Sequence, residues 1–138
     1  MIYKKQIKNT SSWETEPLIE IIKRCAEHRG VDLRKRLRKS PRRGDFPFRI
    51  KKTSGWSDKT YRGRCYGRNI NGDPAKWKSG EIYIGVPDPE KVDGFRKERF
   101  ARVVIHEIDH LLGLDHREMV HSSELDTPKL DDVQVTEK

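Results

Sequence analysis

The chain has few apolar residues: they make up 33% of its length, whereas charged residues make up 38%. At 138 residues it is long enough for one domain with a single core, but the composition predicts a small core and a surface dense in charge. The longest apolar runs fall well short of a membrane span. The first eight residues carry charge without the apolar centre of a cleaved secretion signal. We therefore expect one cytoplasmic domain over residues 1–138, monomeric and without membrane contact.

Cysteine is also scarce, and acidic residues are fewer than basic ones. Cys25 and Cys65 lie far apart and form no C-x-x-C pair, which favours two reduced thiols and leaves a disulfide open. Asp and Glu number 22 against 30 Lys and Arg, for a formal net charge of +8. This excess of positive charge favours anionic partners such as nucleic acid or acidic peptide segments.

One segment of this sequence is dense in possible metal ligands. From His106 it reads His-Glu-Ile-Asp-His-Leu-Leu-Gly-Leu-Asp-His, which is H-E-x-x-H-x-x-G-x-x-H without a mismatch. His106 and His110 are four residues apart, so a helix places both rings on one face, where they can bind one metal ion. Glu107 can reach a metal-bound water as general base. Gly113 allows a sharp, left-handed exit from the helix, which brings His116 round as a third ligand. Three imidazoles and one open position are typical of catalytic Zn²⁺.

This motif resembles the signature of the metzincin zinc peptidases. The resemblance implies a minimal zincin-like domain of the α+β class, Zn²⁺ as cofactor, and a protein or peptide substrate. Glu107 would take a proton from the metal-bound water during attack on the peptide carbonyl and return it to the leaving nitrogen. An amphipathic helix with incidental histidines is the alternative, but three of the chain's five histidines fall on ligand positions.

The resemblance is weaker after His116. Metzincins usually carry a methionine in a tight turn beneath the metal, whereas Met119 lies only three residues past the third ligand. Met119 therefore either forms an unusually tight turn or serves in packing. Asp115 is a solvated turn residue or a partner that orients a histidine. His121 is read as a surface residue.

The periodicity of apolar residues predicts a helix, a small sheet of three or four strands, the motif helix and a short C-terminal tail. The first helix spans residues 14–30, with Ser11 or Ser12 as its cap and Gly30 as its stop. The predicted strands span residues 46–52, 61–70 and 81–86, with a turn at residues 71–74 between the last two. The motif helix runs over residues 94–112. We expect the ends, residues 1–12 and 123–138, to be flexible.

In the metzincin family an edge strand at the cleft holds an extended peptide by main-chain hydrogen bonds. Ile82, Tyr83 and Ile84 are the candidates for that edge, although one sequence cannot distinguish an edge strand from a core strand.

A second resemblance concerns residues 110–116, which look like the end of the metal motif in the bacterial endoribonucleases of ribosomal-RNA maturation. Those proteins are also small and basic and have three histidines in the metal motif, but their motif has Gly after the first histidine. Glu107 stands at that place here, and because a peptidase needs this carboxylate, the peptidase interpretation is favoured. A metal- and nucleic-acid-binding protein without catalysis is a further alternative.

A dense basic run precedes the first predicted strand. Its cations are Arg34, Lys35, Arg36, Arg38, Lys39, Arg42 and Arg43. The run either contacts nucleic-acid phosphates or is a solvated loop. It contains no aromatic residue on which a base could stack, and Trp56, Tyr61, Tyr66 and Trp77 lie elsewhere.

Overall fold

The computed structural model describes residues 4–38, 46–68, 79–113 and 127–138. These residues form an α+β fold with three α-helices and a four-stranded open mixed sheet, as the sequence predicted at this coarse level. The helices are α1 (Thr15–His28), α2 (Leu33–Arg36) and α3 (Lys97–Leu111). The strands are β1 (Ile7–Asn9), β2 (Phe48–Lys52), β3 (Arg62–Arg68) and β4 (Ser79–Val86). Short 3-10 turns occur at Lys4–Gln6, Gly55–Ser57 and Pro89–Lys91.

Helix α1 forms because its apolar residues recur on one face, and that face is buried. It ends before Gly30, whose φ of +66° is easily adopted by glycine alone. The predicted serine cap is wrong. Glu14 is the N-cap residue and makes no side-chain cap bond, while the Ser11 hydroxyl donates to Oδ1 of Asn9 at 2.6 Å.

The strands lie in the order β1-β2-β4-β3. β1 is parallel to β2, and β2 is parallel to β4, while β3 is antiparallel to β4. Periodicity located β2, β3 and β4, but it missed β1, which has only three residues. It also missed α2, which begins the basic run: Leu33 and Leu37, on either side of the cations, are buried.

The core lies between one face of the sheet and the two long helices. Phe48 and Ile50 of β2 are paired with Ile82 and Ile84 of β4, and all four side chains are fully buried. Helix α3 packs against β3 and β4, and α1 packs against α3. The helix that carries the metal motif is therefore held from two sides.

The chain ends depart from the expected flexibility wherever they are described. β1 pairs with β2, and Leu130 and Val133 are buried in the core. The Lys97 ammonium donates to the carbonyl oxygens of Leu130 and Val133, at 2.8 and 2.7 Å. A few apolar residues and main-chain contacts are thus enough to fix the C-terminal segment, although its composition is mostly polar.

Both cysteines are free thiols, as the sequence favoured. Burial raises the pKa of Cys25 to about 12 and also raises that of Cys65. In the described part of the chain, every helix is too short or too polar to cross a membrane.

Candidate metal centre

Helix α3 brings His106 and His110 together, as their spacing predicted. Their ring centroids are 4.9 Å apart, with the planes at 83°. One ligand atom from each ring and one carboxylate oxygen of Glu107 all lie within 4.8 Å of one another. Two imidazoles beside a carboxylate form a donor set that suits zinc and its transition-metal neighbours.

The motif helix ends as the glycine predicted. Gly113 has a φ of +87°, a left-handed conformation that few other residues adopt readily. Its amide donates to the carbonyl oxygen of His110 at 3.0 Å. The predicted third ligand, His116, lies outside the described residues, as do Asp115, Met119 and His121. Their assignments stay predictions.

Glu107 is almost completely buried, with 3% of its surface exposed. It lies against Gly63 of β3, where a Cβ atom would stand 2.7 Å from both Cγ and Oε2 of Glu107. The same Cβ would lie 2.8 Å from Cγ1 of Val103. Only a residue without a side chain lets β3 approach the carboxylate this closely. Burial raises the pKa of Glu107 to about 7, the range in which a carboxylate serves well as a proton acceptor and donor.

A cleft of about 330 Å³ opens over the histidine-bearing face of α3. It is lined by Tyr61, Arg62, Gly63, Arg102, Val103, His106 and Glu107. Arg102 lies one helical turn before His106 and therefore on the same face. Among the described residues its Nε has no hydrogen-bond partner, although that atom is buried. The cleft thus places the cationic side chain of Arg102 beside the candidate ligands.

An ion pair between Arg29 and the buried carboxylate of Asp109 joins α3 to the end of α1. Asp109, which is 1% exposed, accepts a hydrogen bond from Nε of Arg29 at 2.9 Å, and Nη2 of Arg29 lies 2.8 Å from the same oxygen. Arg29 follows the last turn of α1, so the pair joins α1 to the segment between Glu107 and His110.

The predicted edge strand is wrong. Ile82, Tyr83 and Ile84 lie in β4, which pairs with β2 on one side and β3 on the other. Ile82 and Ile84 are fully buried because they lie on the face of the sheet that packs against the helices. The strand beside Glu107 is β3, which within the described residues is paired only with β4.

The basic run does not reach the cleft in the described residues. Arg34, Lys35 and Arg36 lie in α2, which packs near the start of β4. Arg38 follows, and its amide donates to the carbonyl oxygen of Gly80 at 2.9 Å. Lys39, Arg42 and Arg43 lie outside the described residues, and so do Trp77 and the turn at residues 71–74.

Sequence reasoning missed four residues of the cleft, namely Arg62, Gly63, Arg102 and Val103. The four-residue spacing between Arg102 and His106 could have placed Arg102 on the ligand face. Nothing in the sequence marked Gly63, because its role depends on the approach of a distant strand.

No family model matches the chain, and neither a curated protein nor a solved structure is detectably similar to it. The motif and the geometry of the cleft are therefore the two features from which a function can be inferred.

Proposed function

We propose that the protein is a zinc-dependent metallopeptidase of the metzincin type. The observation that carries this proposal is the position of Glu107. It is a buried carboxylate beside two histidines, it has a raised pKa, and it lines an open cleft. A hydrolase needs a proton acceptor at this place, whereas a purely structural metal site does not.

His106 and His110 would hold the metal from one face of α3, with His116 completing the set. Zinc, when bound, lowers the pKa of coordinated water towards about 7 and polarises a carbonyl oxygen. Glu107 takes a proton from the attacking water through its carboxylate and passes it to the departing amide nitrogen. The close packing of Gly63 and Val103 keeps that carboxylate from turning away.

An extended peptide would lie along β3. This strand borders the cleft, and its outer edge has no strand partner within the described residues, so its main-chain groups suit strand addition. Arg102 favours a peptide with acidic side chains near the cleaved bond, because it lines the cleft one helical turn from His106.

A metal-dependent endoribonuclease is the second candidate. Arg102 supports it too, since its guanidinium group would also pair with a phosphate in the cleft. The presence of Glu107 favours the peptidase, because the endoribonucleases that the motif resembles have glycine at that place.

Replacing Glu107 with Gln distinguishes the two candidates. Glu107→Gln keeps the shape of the side chain and removes its basic oxygen, so the variant should hold zinc like the parent. Cleavage of an unfolded protein substrate should fall by a factor on the order of a hundred or more. Glu98→Gln, at an exposed position in the first turn of α3, is the matched control and should cleave normally.

Structured RNA is the second substrate in this assay. If Glu107→Gln cleaves RNA as well as the parent does, and neither protein cleaves peptides, the endoribonuclease is correct and the peptidase is rejected. Equal peptide cleavage by parent and Glu107→Gln would also reject the proposed role of this carboxylate.

A further inference from the structure

The sheet has a second face, opposite the metal cleft. A Cβ on Gly63 would point at Glu107 and Val103 of α3, so this position of β3 faces the helices. Successive side chains of a strand alternate between the two faces, and Arg62, Arg64 and Tyr66 therefore point the other way. We call this opposite side of the sheet the open face; strand alternation and register place on it Lys8, Arg49, Lys51, Arg62, Arg64, Tyr66, Glu81 and Tyr83.

The open face is strongly basic. One row across the four strands runs Lys8, Arg49, Tyr83, Arg64, and the next pairs Lys51 and Arg62 with Gly85. Lys8, Lys51, Arg62 and Arg64 are exposed, and Arg49 is half-buried. Glu81 is the one acidic side chain that the described strands place here, and it is buried. Five cations in two adjacent rows leave this surface with a large excess of positive charge.

One of these cations has an unused donor. The Nε of Arg49 is buried and has no hydrogen-bond partner among the described residues. Arg49 is the central cation of its row, between Lys8 and Tyr83. An anion that lies on this row would supply the missing acceptor.

Aromatic rings are interleaved with the cations. Tyr66 and Tyr83 contact each other edge to face, with centroids 5.4 Å apart and planes at 68°. Both rings are only half-buried. Lys8 lies 5.7 Å from the centroid of the Phe46 ring. Trp56, in the loop after β2, is fully exposed at 105% and is the one exposed large apolar side chain of the described residues.

A wide, shallow depression of about 590 Å³ lies on the open face. Its lining includes Lys51, Arg62, Arg64, Tyr66 and Tyr83. Residues 52–54 also line the depression, and Trp56 follows them two positions along the chain. Arg62 and Gly63 line both this depression and the metal cleft, so β3 is the wall between the two.

We infer that the open face binds single-stranded nucleic acid. Its cations suit a phosphate backbone, and its aromatic rings suit unpaired bases, which stack on them regardless of sequence. A duplex offers the same phosphates but keeps its bases out of reach of the rings. An acidic protein segment would match the charge but leave the rings without a planar partner. This inference does not depend on the proposed peptidase activity, and it uses a surface other than the basic run of residues 34–43.

The test measures binding of the full-length protein to labelled oligouridylate, to oligothymidylate and to a DNA duplex of equal length, at increasing salt concentrations. Both single strands should bind more tightly than the duplex. The double variant Lys51→Ala/Arg64→Ala should weaken single-strand binding at least about tenfold, and the slope of log K against log salt should fall by about 1.4, or about 0.7 for each lost phosphate contact. Trp56→Ala should weaken single-strand binding by about tenfold through lost stacking, and its full exposure makes a folding defect unexpected.

A charge-matched control is available on the other side of the molecule. Arg99→Ala/Lys129→Ala removes two exposed cations from α3 and the C-terminal segment, and it should leave the affinity within about twofold of the parent. Equal losses in the two double variants would reduce the effect to net charge and overturn the inference. The inference would also be overturned if the duplex, or an acidic polypeptide measured in the same assay, bound as tightly as the single strands.

Discussion

The burial of Glu107, and with it the raised pKa of its carboxyl group, depends on the strand that packs against it. Its carboxylate is buried because β3 approaches α3 at Gly63, where there is no side chain to intervene. The motif predicted Glu107 to be a proton carrier, but its burial and raised pKa could not be predicted from the sequence. Those properties result from a contact between residues 44 positions apart, which no local pattern reveals.

Gly63→Ala tests this contact. The added methyl group meets Glu107 at 2.7 Å and Val103 at 2.8 Å, so we expect the free energy of unfolding to fall by about 1–3 kcal/mol. Because Glu107 must shift to make room, peptide cleavage should fall too. Chemical denaturation and a peptidase assay measure the two effects.

Gly94→Ala is the matched control, since a Cβ at Gly94 meets nothing within 4 Å and that backbone is not left-handed. Its unfolding free energy should stay within about 0.5 kcal/mol of the parent. If Gly63→Ala were as stable and active as Gly94→Ala, β3 would not hold Glu107 in the way described.

At the scale of elements, the periodicity of apolar residues predicted the helices and strands that are long and amphipathic. Helices α1 and α3 have one buried face each, and β2 and β4 carry buried apolar residues at alternate positions. It missed β1 and α2, which are too short to show a period. The edge strand predicted from the family resemblance was also wrong, because the order of strands is decided by pairings between distant segments. The central position of β4 became visible only in the structure.

The Arg29–Asp109 pair should contribute more to the free energy of unfolding than the exposed ion pairs do, because Asp109 is almost completely buried. Asp109→Asn leaves the Arg29 guanidinium without a countercharge, and we expect the free energy of unfolding to fall by about 3 kcal/mol. The loss should appear as a lower denaturant midpoint with an unchanged slope.

Glu20→Gln serves as the control for this pair, since Glu20 is 43% exposed and bonds Arg24 at the surface of α1. It should cost about 0.5 kcal/mol or less. Similar costs for the two substitutions would mean that the buried pair does not join α1 to α3.

At the scale of the whole molecule, the sheet separates two chemically different surfaces. Helix α3 and the metal cleft lie on one side, and the basic, aromatic open face lies on the other. The C-terminal segment is fixed to both long helices, through Arg24 to Asp132 at 2.6 Å and through Lys97. The composition anticipated a small core and basic character, but it could not anticipate that the cations gather with aromatic rings on one face.

The zinc content of the purified protein is the most direct test of the metal centre. We predict about one zinc ion per chain after reconstitution and dialysis. His110→Ala should lose most of this zinc because it removes a ligand from the motif helix. His28→Ala, at an exposed position in the last turn of α1, should retain it. A parent protein without zinc, or a His110→Ala variant with as much zinc as the parent, would contradict the account.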